Sequence, residues 1–334
     1  MVIVQQAATD FLMLYAVPAL FAGLILLVWG AERAVEGAAA LSARLGLSPM
    51  AVGLVVVGFG AAAPELAVAL TAAALGHPAL ALGSAWGANI VALSLVLGTT
   101  LWITPLTLRS QVLRRELPLL LAATLLTAAL VWDGVLSHID AGLLLLGFAG
   151  LLVWSWRQLG RDGSDTLAHE TRDEMRALPA SAVRAVLSVL LGWLALAGGA
   201  LLVVWSAVEV AVWLGVSDLT LGLGVVALGT TLPELATCVV AARKGEDDIA
   251  LGQVLGTGLF NTLAVAGLAG LIEPLDLPPQ ALWRDLLLMA ALAFVLYRLG
   301  AIEGPARLGR RTGRVLVAVF VLHTLALLLT SGPG

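Results

Sequence analysis

The sequence predicts an all-α polytopic membrane protein: about ten transmembrane helices in two inverted five-helix repeats, with broken helices at the midplane. Three observations carry this. The 334 residues are 60% hydrophobic and 12% charged, with a mean hydropathy of +1.01, far from an ordinary soluble domain. Apolar stretches of about 20 residues, long enough to span a bilayer, recur from one end of the chain to the other. The second half repeats the first. The apolar runs are continuous, whereas the strands of a transmembrane β-barrel alternate, so a barrel is excluded.

Taken in order, the spans fall at 11–45, 49–75, 78–102, 113–132, 139–156, 183–214, 219–243, 249–272, 281–299 and 315–329. The first and sixth exceed the thickness of a bilayer and are expected to tilt or project. Trp102, Trp132, Trp154, Trp156, Trp213 and Trp283 lie near segment ends, as interfacial anchors do. Met1 to Asp10 carries no Lys or Arg, so no cleaved signal peptide is expected and the first span is retained.

The cations test the count. Arg44 follows the first span, Arg109, Arg114 and Arg115 follow the third, and Arg157, Arg161, Arg172, Arg176 and Arg184 surround the link between fifth and sixth. Arg243 and Lys244 follow the seventh; Arg298, Arg307, Arg310, Arg311 and Arg314 occupy the last link. The intervening connections hold almost none, Arg284 being the exception. The positive-inside rule then puts odd-numbered connections in the cytoplasm and both termini outside. The expected division is a first repeat over 1–157, a cytoplasmic connecting loop over 158–182 and a second repeat over 183–334. The loop reads as a solvated connector, without the spacing of an EF-hand.

Glu234 lies 169 positions after Glu65, and the same offset superposes Gly46 on Gly215, Ser48 on Ser217, Gly53 on Gly222 and Gly60 on Gly229. It also places Ala81-Leu82-Gly83 on Ala250-Leu251-Gly252, Gly87 on Gly256, Gly98 on Gly267 and Pro105-Leu106 on Pro274-Leu275. This is an internal duplication. Equivalent spans are five apart, an odd number, so they enter the membrane in opposite directions. Inverted repeats with Gly/Pro-interrupted helices at matching positions are the signature of a secondary transporter with its substrate between the halves.

The interruptions carry the chemistry. Gly60-Ala61-Ala62-Ala63-Pro64-Glu65 and Gly229-Thr230-Thr231-Leu232-Pro233-Glu234 each place a carboxylate beside a proline within an apolar run. An acidic residue at a helix centre costs about 2.5–3.5 kcal/mol on insertion scales and marks a functional site by default. The competing reading, a carboxylate kept neutral or paired for packing, explains one such residue better than two in equivalent settings. Proline has no amide hydrogen and crowds the carbonyl four residues back, which releases the carbonyls of Gly60 and Gly229. Freed backbone at membrane depth is tolerated where it lines a cavity or holds an ion. Carbonyl and carboxylate oxygens are hard donors of the kind calcium takes. Thr230 and Thr231 can share the face of Glu234, and Thr257 and Asn261 share a face of the next span. The matching first-repeat positions are Ala61, Ala62, Ala88 and Ala92.

Other polar residues rank lower. Glu32, Glu36 and Glu209 sit toward span ends, within reach of water or a partner. Ser84 and Asn89 lie in the right helix, but Asn89 aligns with Gly258. His77, His138, His169 and His323 have no zinc-ligand spacing. Cys238 is the only cysteine, so no intrachain disulfide forms, and it reads as a small packed residue. No nucleophile stands with a base, so the chain is not expected to be an enzyme.

At these residues the chain resembles the calcium/cation antiporter superfamily, in its sodium/calcium exchanger branch. The stretch from Ala227 to Glu234, then Asp248 to Gly252 and Gly256 to Asn261, is a close match; Gly60, Pro64, Glu65, Ala81 to Gly83, Gly87, Asn89 and Ile90 match in the first repeat. The resemblance covers essentially the full chain. It implies alternating access between two five-helix halves, with Glu65, Glu234 and nearby carbonyls, among them Gly60, Ala61 and Gly229, around calcium. It also implies that Thr230, Thr231, Thr257 and Asn261 serve as second-repeat ligands. Where the family usually has hydroxyl or amide side chains, the first repeat has four alanines. Divalent binding is therefore expected to persist while coupling shifts toward protons or fewer sodium ions.

The function expected is a secondary active antiporter exchanging calcium for sodium or protons in a prokaryotic cytoplasmic (inner) membrane. The alternatives are an exchanger for another cation or a degenerate, non-transporting structural or regulatory protein. No cofactor is expected, and the partners are inorganic cations and the lipid bilayer, not nucleic acid.

Overall fold

The computed structural model describes residues 2–44, 62–108, 111–159, 181–245, 247–300 and 306–330. Gly60, Ala61, the first part of the second span and nearly all of the link between the halves lie outside the described residues.

The described residues are helical almost throughout. Helix α1 spans Val2–Arg44 and α2 Ala63–Ala74; α3, Pro78–Val91, continues through a π-helical turn at Ala92–Val96 into α4, Leu97–Ile103. Then come α5, Gln111–Leu130, and α6, His138–Leu159. In the second half, α7 spans Ala182–Leu214; α8, Asp218–Leu221, runs through a π turn at Gly222–Val226 into α9, Ala227–Lys244. Helix α10, Asp247–Phe260, passes through a π turn at Asn261–Val265 into α11, Ala266–Ile272. A fourth π turn, Ala281–Leu286, opens α12, Leu287–Gly300, and α13 covers Arg310–Thr330. Each span expected from hydropathy has a helical counterpart, the second through α2 alone.

The duplication is visible in backbone detail that hydropathy does not carry. The π turns at Ala92–Val96 and Asn261–Val265 are 169 residues apart, and each is closed by the equivalent bond: Leu97 N–H to Ala92 O and Ala266 N–H to Asn261 O. Gly76 and Gly245, also 169 apart, both take left-handed backbone at φ 81° and 80°. This region is open to glycine and strained for other residues. Four short strands pair between the halves: β1 (Leu106–Leu108) with β4 (Ala306–Leu308), and β2 (Val135–Leu136) with β3 (Leu275–Asp276), both antiparallel. Since β3 follows β1 at the repeat offset, one ribbon is the counterpart of the other, at opposite ends of the helices.

Glycine sets how closely the halves approach. Helices α1 and α7 cross antiparallel along Gly23, Gly30, Gly192 and Gly199; a Cβ on Gly30 would lie 2.9 Å from Gly192 O, and one on Gly23 would lie 3.0 Å from Gly199 O. Small residues permit such backbone contact between helices in a membrane, where packing replaces the hydrophobic effect as the driving force. The same device joins α3 to the start of the seventh span. A Cβ on Gly83 would meet Leu219 O at 2.5 Å, one on Gly87 would meet Ala227 Cβ at 2.6 Å, and one on Gly222 would meet Leu80 O at 2.7 Å. His77 Nδ1 and Asp218 Oδ2, 2.7 Å apart, link the halves at the ends of the same helices. The α3–α4 span is almost wholly buried, so it forms the centre of the molecule.

The two prolines act differently. Pro64 stands in the first turn of α2, where its missing N–H has no helical partner to lose. Pro233 lies inside α9, which runs on through it. Upstream of it, the π turn at Gly222–Val226 interrupts the regular helix between α8 and α9.

Candidate ion site

Glu65 occupies the first turn of α2 and Glu234 lies about two turns past the start of α9. Both are buried, at 0% and 3% exposure. The close approach of α3 to α9 and the packing of α2 on α3 bring them to one buried region. Thr230 stands beside Glu65 and Thr257 beside Glu234. None of the four carboxylate oxygens accepts a hydrogen bond of normal geometry. Buried carboxylates are ordinarily paired or hydrogen-bonded, so this is a marked departure.

Two of the neighbouring hydroxyls, those of Thr230 and Thr231, lie within reach of carbonyls of their own helix. Thr231 Oγ1 donates to Ala227 O at 2.7 Å, and Thr230 Oγ1 is 3.2 Å from both Val226 O and Ala227 O. A hydroxyl that spends its proton on its own helix keeps its oxygen available as an acceptor or cation ligand. Asn261, fully buried at the start of its π turn, has neither amide atom hydrogen-bonded. π turns inside α-helices occur often at functional sites. Gly229 lies under Leu24 of α1, whose Cδ1 would be 2.5 Å from a Cβ there.

The structure therefore brings Glu65, Glu234, Thr230, Thr231, Thr257 and Asn261 into the buried centre, with Gly229 on the same helix. Gly60 and Ala61 fall outside the described residues. Ala62, Ala88 and Ala92 are each 1% exposed, as buried as the oxygen-bearing residues they align with. Among the described residues no cluster of three or more His, Cys, Asp or Glu exists, so the acidic pair stands without a third such ligand. Of the lower-ranked residues, Glu36 forms an exposed pair with Arg33 at 3.1 Å. Cys238 is packed with its thiol on Ala250 O at 3.3 Å.

Two polar features carry more than their sequence ranking gives them: Asn89, ranked low, and Asp285, not singled out. Asn89 is fully buried and donates to Thr262 Oγ1 at 2.7 Å. Asp285, 0% exposed, takes a bidentate pair from Arg284 at 2.7 and 2.8 Å, with His323 Nε2 at 3.7 Å. This explains the one cation that broke the charge alternation: Arg284 neutralises a buried neighbour. A signal existed, because Arg284-Asp285 lies 169 residues after Arg115-Glu116.

Two inverted sets of interrupted helices closing on a buried, oxygen-lined centre define a secondary transporter. The family model for sodium/calcium exchanger proteins matches residues 15–157 and 184–329. The chain is 37% identical to a putative antiporter, CaxA, of Alkalimonas amylolytica over 92% of its own length and 97% of that protein. It is also 37% identical to the inner membrane protein YrbG of Escherichia coli K12, covering 93% and 96%. Its fold is that of the sodium–calcium exchanger NCX_Mj, with a TM-score of 0.63 at 24% identity over 94% of this chain and 99% of that one. The chain belongs to the sodium/calcium exchanger family, and with it to the membrane cation antiporters.

Proposed function

We propose that the protein exchanges calcium for protons or for a reduced number of sodium ions, with Glu65 and Glu234 as the two carboxylates that hold the dication. The observation that carries this reading is the set of four buried carboxylate oxygens without hydrogen-bond partners. Two carboxylates match the charge of one divalent cation. Calcium takes about six to eight oxygens, and the carbonyls of Gly60, Ala61 and Gly229 with the oxygens of Thr230, Thr231, Thr257 and Asn261 complete the set. Alanine retains its carbonyl, so the substitutions in the first repeat spare a site of this kind. Sodium sites that depend on first-repeat side chains lose their ligands. When no cation is bound, protons on the two carboxylates meet the same need for charge compensation, which couples calcium release to proton uptake.

The charge pattern supports odd-numbered connections in the cytoplasm and both termini outside, in a prokaryotic inner membrane, with halves at 1–157 and 183–334 joined by 158–182. The alanine substitutions also favour a second reading, a member that no longer transports.

Calcium uptake into proteoliposomes, with sodium and pH gradients imposed separately, distinguishes these readings. A pH gradient is expected to drive uptake, and Glu65→Gln or Glu234→Gln to reduce it at least about 100-fold, the effect of losing a charged ligand worth roughly 3 kcal/mol. Uptake preserved in both variants would remove these residues from the site; no uptake by the unmodified protein under either gradient would favour the non-transporting reading.

A further inference from the structure

Asn89 sits one residue beyond Ala88 in α3 and is not among the proposed ligands. Its Nδ2 donates to Thr262 Oγ1 at 2.7 Å and approaches Met289 Sδ at 3.4 Å. Thr262 Oγ1 in turn donates to Gly258 O at 2.7 Å. Asn89, Thr262 and Met289 are each 0% exposed. Gly258 is the residue that aligns with Asn89, so this relay runs from a residue to its own counterpart, between the crossing spans of the two halves. Gly258 leaves Asn89 uncrowded: a Cβ there would come only to ordinary contact with Asn89 Oδ1, at 3.8 Å, while pressing on Leu120 Cδ1 at 3.2 Å. The counterpart of Thr262 is Leu93. The relay is therefore built once, in favour of the second repeat.

Thr262 is the second residue of the π turn that begins at Asn261. Fixing its side chain fixes the phase of that turn, and with it the direction of the Asn261 amide. An ordinary packing role accounts poorly for Asn89, because its Oδ1 is buried without a partner. An apolar side chain of similar size fills such a position without leaving an unsatisfied acceptor, which costs about 1–3 kcal/mol.

We propose that Asn89 is a positioning residue which, through Thr262, holds the Asn261 amide toward the bound cation and so sets the affinity of the site. This rests on the reading of Asn261 as a cation ligand. It assigns the first repeat a contribution to the site despite its alanines, made through the other repeat.

The test compares the full-length protein with Asn89→Leu, Thr262→Val and Thr262→Ser, alone and with Asn261→Ala. Amide hydrogen exchange over 257–266 reports the turn, and half-saturation for calcium in proteoliposomes reports the site. Asn89→Leu and Thr262→Val are each expected to speed exchange at Asn261 to Ala266 at least about tenfold and to raise half-saturation about tenfold. Thr262→Ser, which keeps the hydroxyl, is expected to behave as the unmodified protein. In the Asn261→Ala background Asn89→Leu is expected to add less than about twofold, because both changes act through one amide. Equal effects in the two backgrounds, or unchanged exchange in Asn89→Leu, overturn the proposal. Thr262→Val breaks the same bond from the other end, so a folding failure of one variant leaves the other to decide. The exchange measurement involves no transport: an unmodified protein that moves no calcium sinks the proposed function, whereas unchanged exchange sinks the positioning role.

Discussion

Ala88 and Ala92 stand where Thr257 and Asn261 stand in the other repeat, at 1% exposure each. Alanine there removes an oxygen and leaves the backbone in place, since the π turns at the two positions close through equivalent bonds. The difference between the halves is thus one of ligands and not of fold. Restoring oxygens as Ala88→Ser with Ala92→Asn is expected to make calcium uptake respond to a sodium gradient at least about tenfold more strongly than in the unmodified protein. Parallel measurements of sodium and calcium flux check it. An unaltered response to sodium would place the origin of coupling elsewhere. The alanines were legible in the sequence because the repeat supplied a register in which to notice them. Asn89 was visible only as a residue in the right helix, because its hydrogen bond to Thr262 spans 173 residues and the alignment to Gly258 conceals it.

At the scale of elements, the long apolar helices were legible from composition, while the π turns were not. A π turn is set by backbone register, and neither Ala92–Val96 nor Gly222–Val226 carries a residue pattern that distinguishes it from the helix around it. The ribbons were equally hidden, since strands of two or three residues give no period to read. Proline was over-read in the second half: Pro233 perturbs α9 without ending it. The opening of the ninth span shows the opposite error. Arg284 reads only as an exception to the charge alternation, yet Asp285 beside it is fully buried and their ion pair ties this π turn to α13, where Arg284 also bonds Thr330 and His323 approaches the carboxylate. Asp285→Asn removes the anion and leaves Arg284 largely buried with no carboxylate; breaking such a pair costs about 3–5 kcal/mol. A loss of thermal stability without loss of calcium affinity in the surviving folded protein is the expected result, read by thermal denaturation alongside a calcium titration. A specific loss of affinity would move this cluster into the transport site.

For the whole molecule, the proposed exchange ties the two inverted halves to one shared site. Charge moved per cycle is then a property of the site's total ligand set. Three sodium ions for one calcium transfer one net charge, which a membrane potential of 100 mV drives with about 2.3 kcal/mol; two monovalent ions for one calcium transfer none. Glu65 and Glu234 are buried in the centre of the fold, and on the proposed reading the pair accepts either one dication or two protons. With the first-repeat oxygens replaced by alanine, nothing else among the described groups at the site adds a further charge. The cycle is expected to be electroneutral. Calcium uptake driven by a pH gradient should therefore change by less than about twofold when a diffusion potential of roughly 100 mV is imposed, whereas a cycle carrying one net charge shifts the limiting calcium gradient by about 50-fold. Measuring that limiting gradient at zero and imposed potential, in vesicles whose pH gradient is clamped, separates the two cases directly: a potential-dependent limit means a third monovalent ion is bound, and with it a ligand contributed by the first repeat that the alanines do not reveal.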